Sequence, residues 1–122
     1  ASDGSAVTYQ EGVPHLRNYG TYPRVLGKYV REQGVLSLEE AIYKMTKLPA
    51  QSMKLKTRGT LAEGMTADIN IFNPVTVSDH YDWPNPHQYA TGFSYVIVNG
   101  VPVIDRNKRT SEFPGAVLRR GD

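Results

Sequence analysis

Cysteine is missing from this 122-residue chain, which excludes a disulfide scaffold, a thiolate zinc site and a cysteine nucleophile at once. Long apolar runs are missing too. No stretch approaches the roughly 20 residues a membrane helix requires, and Ala1-Ser2-Asp3-Gly4 has no basic segment leading into an apolar one. Charge of one sign is scarce: 14 Lys+Arg face 12 Asp+Glu, and a net +2 does not by itself imply a polyanionic partner. What is present is 39% hydrophobic and 10% aromatic residues, the composition of a globular chain. One domain of this size buries about two-thirds of its unfolded surface, enough for a core without staples. The expectation is a soluble, cytoplasmic protein with no membrane partner. The start without Met suits a processed or partial chain.

The charge is unevenly spread. Between Arg17 and Arg58 nine Lys+Arg and three Asp+Glu give +6, which leaves −4 for the remainder. A solvated helical face explains this better than a nucleic-acid surface, which stays the weakest of the functional readings.

Residues 1–22 carry Gly4, Gly12, Pro14 and Gly20 without a steady apolar period and read as a long loop, a length usually reserved for function or disorder. Pro23 then opens a helix in which Val25 or Leu26, Tyr29 and Val30 share a face, ended by Gly34. Ser37-Leu38-Glu39-Glu40 is a capping box, and Leu38, Ala41, Ile42 and Met45 follow at helical spacing. The spacing predicts a helix over 38–47 and a short turn over 49–53. Past Leu55 the period becomes alternating. Residues 67–74 read as a strand, and residues 95–104 as two short strands joined by Asn99-Gly100, with Pro102 at an edge or a bulge. Residues 75–92, with His80, Trp83, Pro84, Pro86 and His87, form an ordered excursion. The first half is thus helical and the second β-rich, with the change near Lys56.

Chemistry-bearing motifs are few. His15, His80 and His87 fall in no His-x-His or His-Glu-x-x-His pattern, so clustered zinc ligands are absent from the sequence. For His80 and His87 loop structure or exposure is the better reading. Asp3-Gly4 taken alone is a turn pair.

Together, Ser2-Asp3-Gly4, the stretch from Pro14-His15-Leu16-Arg17-Asn18-Tyr19-Gly20-Thr21 to Gly27, and Leu36 to Ile42 resemble the C-terminal part of the D-aminoacylases. These N-acyl-D-amino-acid deacylases belong to the amidohydrolase superfamily. The resemblance continues through Lys44 to Ala50, Gly59 to Asp68, Val96 to Val103 and Pro114 to Arg119. Its specific element is Pro-His-x-Arg-x-Tyr-Gly-Thr; the Gly-x-x-Ala-Asp and Val-Asn-Gly elements are widespread among amidohydrolases. The sequence departs from the family at Leu16, where Pro is usual, at Asn73, where Asp is common, and at Ser52-Met53-Lys54, where Arg-x-Gly precedes the leucine.

The resemblance implies an α+β fragment: residues 1–56 as the closing βα segment of a (β/α)8 barrel, and residues 57–122 as the C-terminal strands of a small β-domain. It also implies that Asp3 matches the aspartate at the end of the eighth barrel strand, the face where such barrels place catalytic groups. That aspartate would transfer a proton from a zinc-activated water to the leaving amine. His15 and Arg17, in the following loop, would orient substrate or the catalytic loop, or else serve loop packing alone. The family's His-x-His and its Cys and further His ligands would lie upstream of Ala1, so no complete metal site is expected in this chain. The expected partners are an N-acyl-D-amino acid and an upstream polypeptide or a second copy, because helices made to cover barrel strands leave Leu26, Tyr29, Ile42 and Met45 needing a surface. The alternative is a non-catalytic α+β assembly or binding module.

Overall fold

A computed structural model describes residues 2–5 and 7–122; of the segment assigned to the barrel end, Ala1 and Ala6 lie outside the described residues. The chain forms two units, one of residues 1–37 with 73–92, the other of residues 38–72 with 93–122.

The first unit begins as the long loop the glycines predict, interrupted by a 3-10 turn, Leu16–Asn18. Helix α1 (Thr21–Arg24) runs without a break into a π-helical segment, Val25–Glu32. Pro23 is tolerated because the amides of a first turn need no helical partner. Sequence periodicity predicts an ordinary α-helix here; the wider π turn accompanies a contact that no local pattern reveals. At Gly27 an added Cβ would stand 2.8 Å from the Val77 carbonyl oxygen, and Arg31, one turn on, donates to that same oxygen at 2.6 Å and to the Pro74 carbonyl at 3.2 Å. Val77 is wholly buried, and with Leu26 it makes this unit's core. The excursion 75–92 closes on itself through the Ser78–Thr91 bridge. Gly92 permits that closure: its φ is +87°, and a Cβ there would lie 2.5 Å from Val77 Cα.

The second unit opens with α2 (Leu38–Met45) and α3 (Lys47–Met53), where sequence spacing predicts one helix to residue 47 and a turn after it. The break falls at Thr46, whose hydroxyl donates back to the Ile42 carbonyl at 2.7 Å, and Pro49 sits in the first turn of α3, where it has no amide to lose. Lys54 ends α3 in the left-handed conformation, φ 58°. Ala41 and Ala50 are this unit's buried apolar side chains. Of the four side chains expected to need an outside surface, Leu26 is instead buried within its own unit, Ile42 and Met45 are half-buried, and Tyr29, in the first unit, is exposed.

A four-stranded antiparallel sheet follows in the order β1 (Ile69–Phe72), β2 (Phe93–Val98), β3 (Val101–Asp105), β4 (Lys108–Arg109). The Asn99-Gly100 turn is as predicted: φ values of 49° and 80° fit a type I′ turn, and Val98 pairs with Val101. Val96 pairs with Ile104 but Ile97 with Pro102, which leaves Val103 as the extra residue of a bulge beside the proline. Strand β4 is not predicted by the sequence pattern; Arg106 and Asn107, both at positive φ, turn the chain back. The turn at Asn99 is anchored by Asp68, which accepts the Asn99 amide at 2.8 Å and pairs with Arg58.

Among the described residues no helix is long and apolar enough to cross a membrane. Several cations of the basic stretch have structural partners: Arg24 with Asp79, Lys44 with Glu40 one helical turn away, and Arg58 with Asp68.

Candidate functional site

All three residues singled out in the sequence, Asp3, His15 and Arg17, lie in the first unit and are exposed. The segment bearing Asp3 has no regular secondary structure and is fastened on both sides. On one side the Tyr22 hydroxyl donates to Ser2 Oγ at 3.0 Å. On the other, the Asn18 side-chain amide donates to the Ser5 carbonyl, and Gly4 lies so close to Asn18 that a Cβ would stand 3.1 Å from its Oδ1. Among the described residues no hydrogen bond or ion pair engages the Asp3 carboxylate. The backbone around Asp3 is therefore tied to the Asn18–Tyr22 stretch while the carboxylate stays open to an incoming group.

His15 caps the 3-10 turn. Its Nδ1 accepts the Arg17 amide at 3.2 Å, and its ring meets Trp83 edge-on at 6.4 Å. This fixes the start of the turn that displays Arg17. The rest of the specific motif has local tasks as well: Gly20 leaves room for Asp79, whose Cβ an added methyl would approach to 3.0 Å, and Arg24 Nε pairs with that carboxylate at 3.1 Å.

Sequence reasoning missed the aromatic cluster next to these residues. Tyr9 stacks on Tyr89 at 4.9 Å; Tyr19 meets Tyr89 edge-on at 5.5 Å, and both Tyr9 and Tyr19 meet the His87 ring edge-on. Burial, then the neighbouring Tyr89 and Tyr9 hydroxyls, pushes the Tyr19 hydroxyl above the ordinary tyrosine range. His80 Nε2 lies 2.7 Å from Thr91 Oγ1, a loop-structural role of the kind the sequence suggests. No motif marks His87, because its partners lie some 75 residues away in sequence.

In the second unit a groove of about 500 Å³ is lined by apolar side chains such as Met53, Leu55, Val96 and Leu118. Its charged members, Arg58 and Asp68, are paired with each other. Among the described residues no group of three or more His, Cys, Asp or Glu is placed to hold a metal ion. A zinc site takes three or four protein ligands, so the residues present do not amount to one.

Comparison with known proteins gives a consistent result. The profile of the amidohydrolase family matches residues 6–104. The D-aminoacylase of Alcaligenes xylosoxydans xylosoxydans is 44% identical over 107 residues, which are 88% of this chain and 22% of that protein. A solved D-aminoacylase structure, described for the functional role of its binuclear metal centre, superimposes with a TM-score of 0.84 at 42% identity, over 88% of this chain and 23% of that one. The N-acyl-D-glutamate deacylase of Bordetella bronchiseptica, solved with zinc and a phosphonate inhibitor, superimposes with a TM-score of 0.73 at 39% identity, over 88% of this chain and 21% of that one. The chain thus spans between a fifth and a quarter of the length of these relatives.

Proposed function

The chain belongs to the amidohydrolase family, and from that premise we propose that it is the C-terminal share of a hydrolase that cleaves the amide bond of N-acyl-D-amino acids. The observation carrying this reading is the likeness to D-aminoacylase over 88% of the chain. Residues 1–56 are then the closing end of the barrel and residues 57–122 the C-terminal strands of the small β-domain. The order of elements along the chain supports that split, since the helices end at Met53 and the strands begin at Ile69, while the compact units cross it: residues 38–56 group with the strands and residues 73–92 with the N-terminal segment.

Within this segment Asp3 is the proton-transfer carboxylate. An exposed carboxylate on a pinned backbone can accept a proton from an attacking water and return it to the departing amine nitrogen. Pinning removes the entropy of searching for that geometry. Arg17, held on a turn that His15 caps, presents a guanidinium suited to the carboxylate of an amino-acid substrate. The metal that the relatives' structures hold would be bound by residues outside this segment, which by itself is inactive. Val13, Val35, Leu61, Val75, Phe113 and Val117 are exposed while the buried apolar set is small; the preceding polypeptide of the same enzyme is the cover proposed for this surface.

The test is turnover by the complete polypeptide that bears this segment, supplied with zinc and offered N-acetyl-D- and N-acetyl-L-amino acids. Release of the free D-amino acid, with the L-isomer left intact, is the expected result. Failure to deacylate any D-isomer contradicts the proposal.

A further inference from the structure

His87 has both ring nitrogens engaged by groups whose hydrogen-bonding roles are fixed. The Gln10 backbone N–H donates to Nδ1 at 3.1 Å, and Nε2 lies 3.1 Å from the Gly12 carbonyl oxygen. A backbone amide only donates and a carbonyl only accepts, so Nδ1 bears the lone pair and Nε2 the proton. The Tyr19 hydroxyl, 2.9 Å from Nδ1, points a second donor at that lone pair. The ring is therefore the neutral Nε2–H tautomer. An imidazolium or an Nδ1–H tautomer would set N–H against N–H at Gln10.

The loop so held is strained at Gln10, whose φ is 66°: a residue with a side chain enters the left-handed region only when its surroundings hold it there, whereas Gly12, φ 65°, takes it freely. His87 supplies that hold at both positions, with Tyr9 of the same loop against its ring edge at 5.9 Å. Residues 9–12 lie between Asp3 and the His15–Arg17 turn, so their bend, together with the Asn18 and Tyr22 contacts, sets how the two stand in space.

We propose that His87 is a positioning residue: through its Nε2–H tautomer it clamps the bent loop 9–12 and so fixes where the His15–Arg17 turn is presented relative to Asp3. The consequence for substrate rests on the deacylase reading given above; the clamp itself does not.

The test is a long-range ¹H–¹⁵N spectrum of the labelled chain at neutral pH, combined with amide exchange at Gln10. The expected spectrum has one protonated nitrogen, Nε2, at His87. In His87→Phe, which keeps a ring but removes both nitrogens, Gln10 should exchange at least tenfold faster while the β2–β3 amides keep their rates. His87→Asn, whose Oδ1 can stand in for Nδ1 as acceptor, should recover part of the protection. A protonated Nδ1 in the wild-type spectrum, or unchanged Gln10 exchange in His87→Phe, overturns the proposal. In the complete enzyme, His87→Phe should raise KM for an N-acetyl-D-amino acid about tenfold and change kcat less. Wild-type enzyme that deacylates nothing while the spectral and exchange results hold would refute the deacylase reading and leave the clamp established.

Discussion

The Tyr22 hydroxyl donates to Ser2 Oγ at 3.0 Å, tying the first turn of α1 to the residue before Asp3 across 20 positions of sequence. Both side chains are exposed, so the bond competes with water and contributes under about 1 kcal/mol to stability. Its effect should therefore be local. Tyr22→Phe is expected to leave the melting temperature within a degree or two, while the ¹⁵N order parameters of Asp3 and Gly4 fall. Unchanged order parameters at both would show that Tyr22 does not order the segment.

Lys54 stands at φ 58° at the end of α3, a conformation that glycine adopts most readily. The backbone keeps the left-handed helix stop that glycine normally makes, with the Lys54 amide donating to Gln51 and the Leu55 amide to Ala50. Lys54→Gly should therefore stabilise the chain by about 1 kcal/mol, read as a higher midpoint in urea. A lower midpoint would mean that the lysine side chain makes compensating contacts.

Gly92 and Gly34 both have positive φ, but only Gly92 has backbone in the way, with Val77 Cα 2.5 Å from an added Cβ and nothing within 4 Å at Gly34. Gly92→Ala should cost roughly 3 kcal/mol or more, conformational strain plus overpacking, and Gly34→Ala about 1 kcal/mol, strain alone. Equal losses in denaturant titrations would refute the packing argument.

Tyr19 holds its proton more tightly in the folded chain than in the unfolded one, because burial and then Tyr89 and Tyr9 disfavour its phenolate. Between the unfolded value of about 10 and the higher folded one, the folded state binds more protons. Its contribution is present below about pH 10 and is lost as the pH climbs through the folded value. Stability should fall across that interval, and Tyr19→Phe should flatten the fall. Parallel curves for the two proteins would contradict this.

Local physics made much of this fold legible. The Ser37 capping-box region and the Asn99-Gly100 pair mark elements whose signals lie within a few residues, and α2 and the β2–β3 hairpin stand where those signals put them. Pro102 falls beside a bulge for the same reason: a residue without an amide donor has few places in a sheet. What stayed hidden depends on distant chain. The π segment accompanies the approach of Val77 to Gly27, β4 depends on pairing with β3, and His87 gains its meaning from Gln10 and Gly12. At the candidate site the sequence singled out Asp3, His15 and Arg17, all three through the family resemblance rather than by any pattern of their own. The Tyr22 and Asn18 contacts that hold the Asp3 segment have no sequence signature.

In the proposed function Asp3 moves the proton during amide cleavage. The direct measurement is kcat for an N-acetyl-D-amino acid in the complete polypeptide with Asp3 intact and with Asp3→Asn, which keeps the shape and removes the basic oxygen. General acid–base catalysis of this kind is worth about 10²- to 10⁴-fold. A loss of that size, with KM little changed, is the predicted result. Turnover by Asp3→Asn within a few-fold of the parent would contradict it.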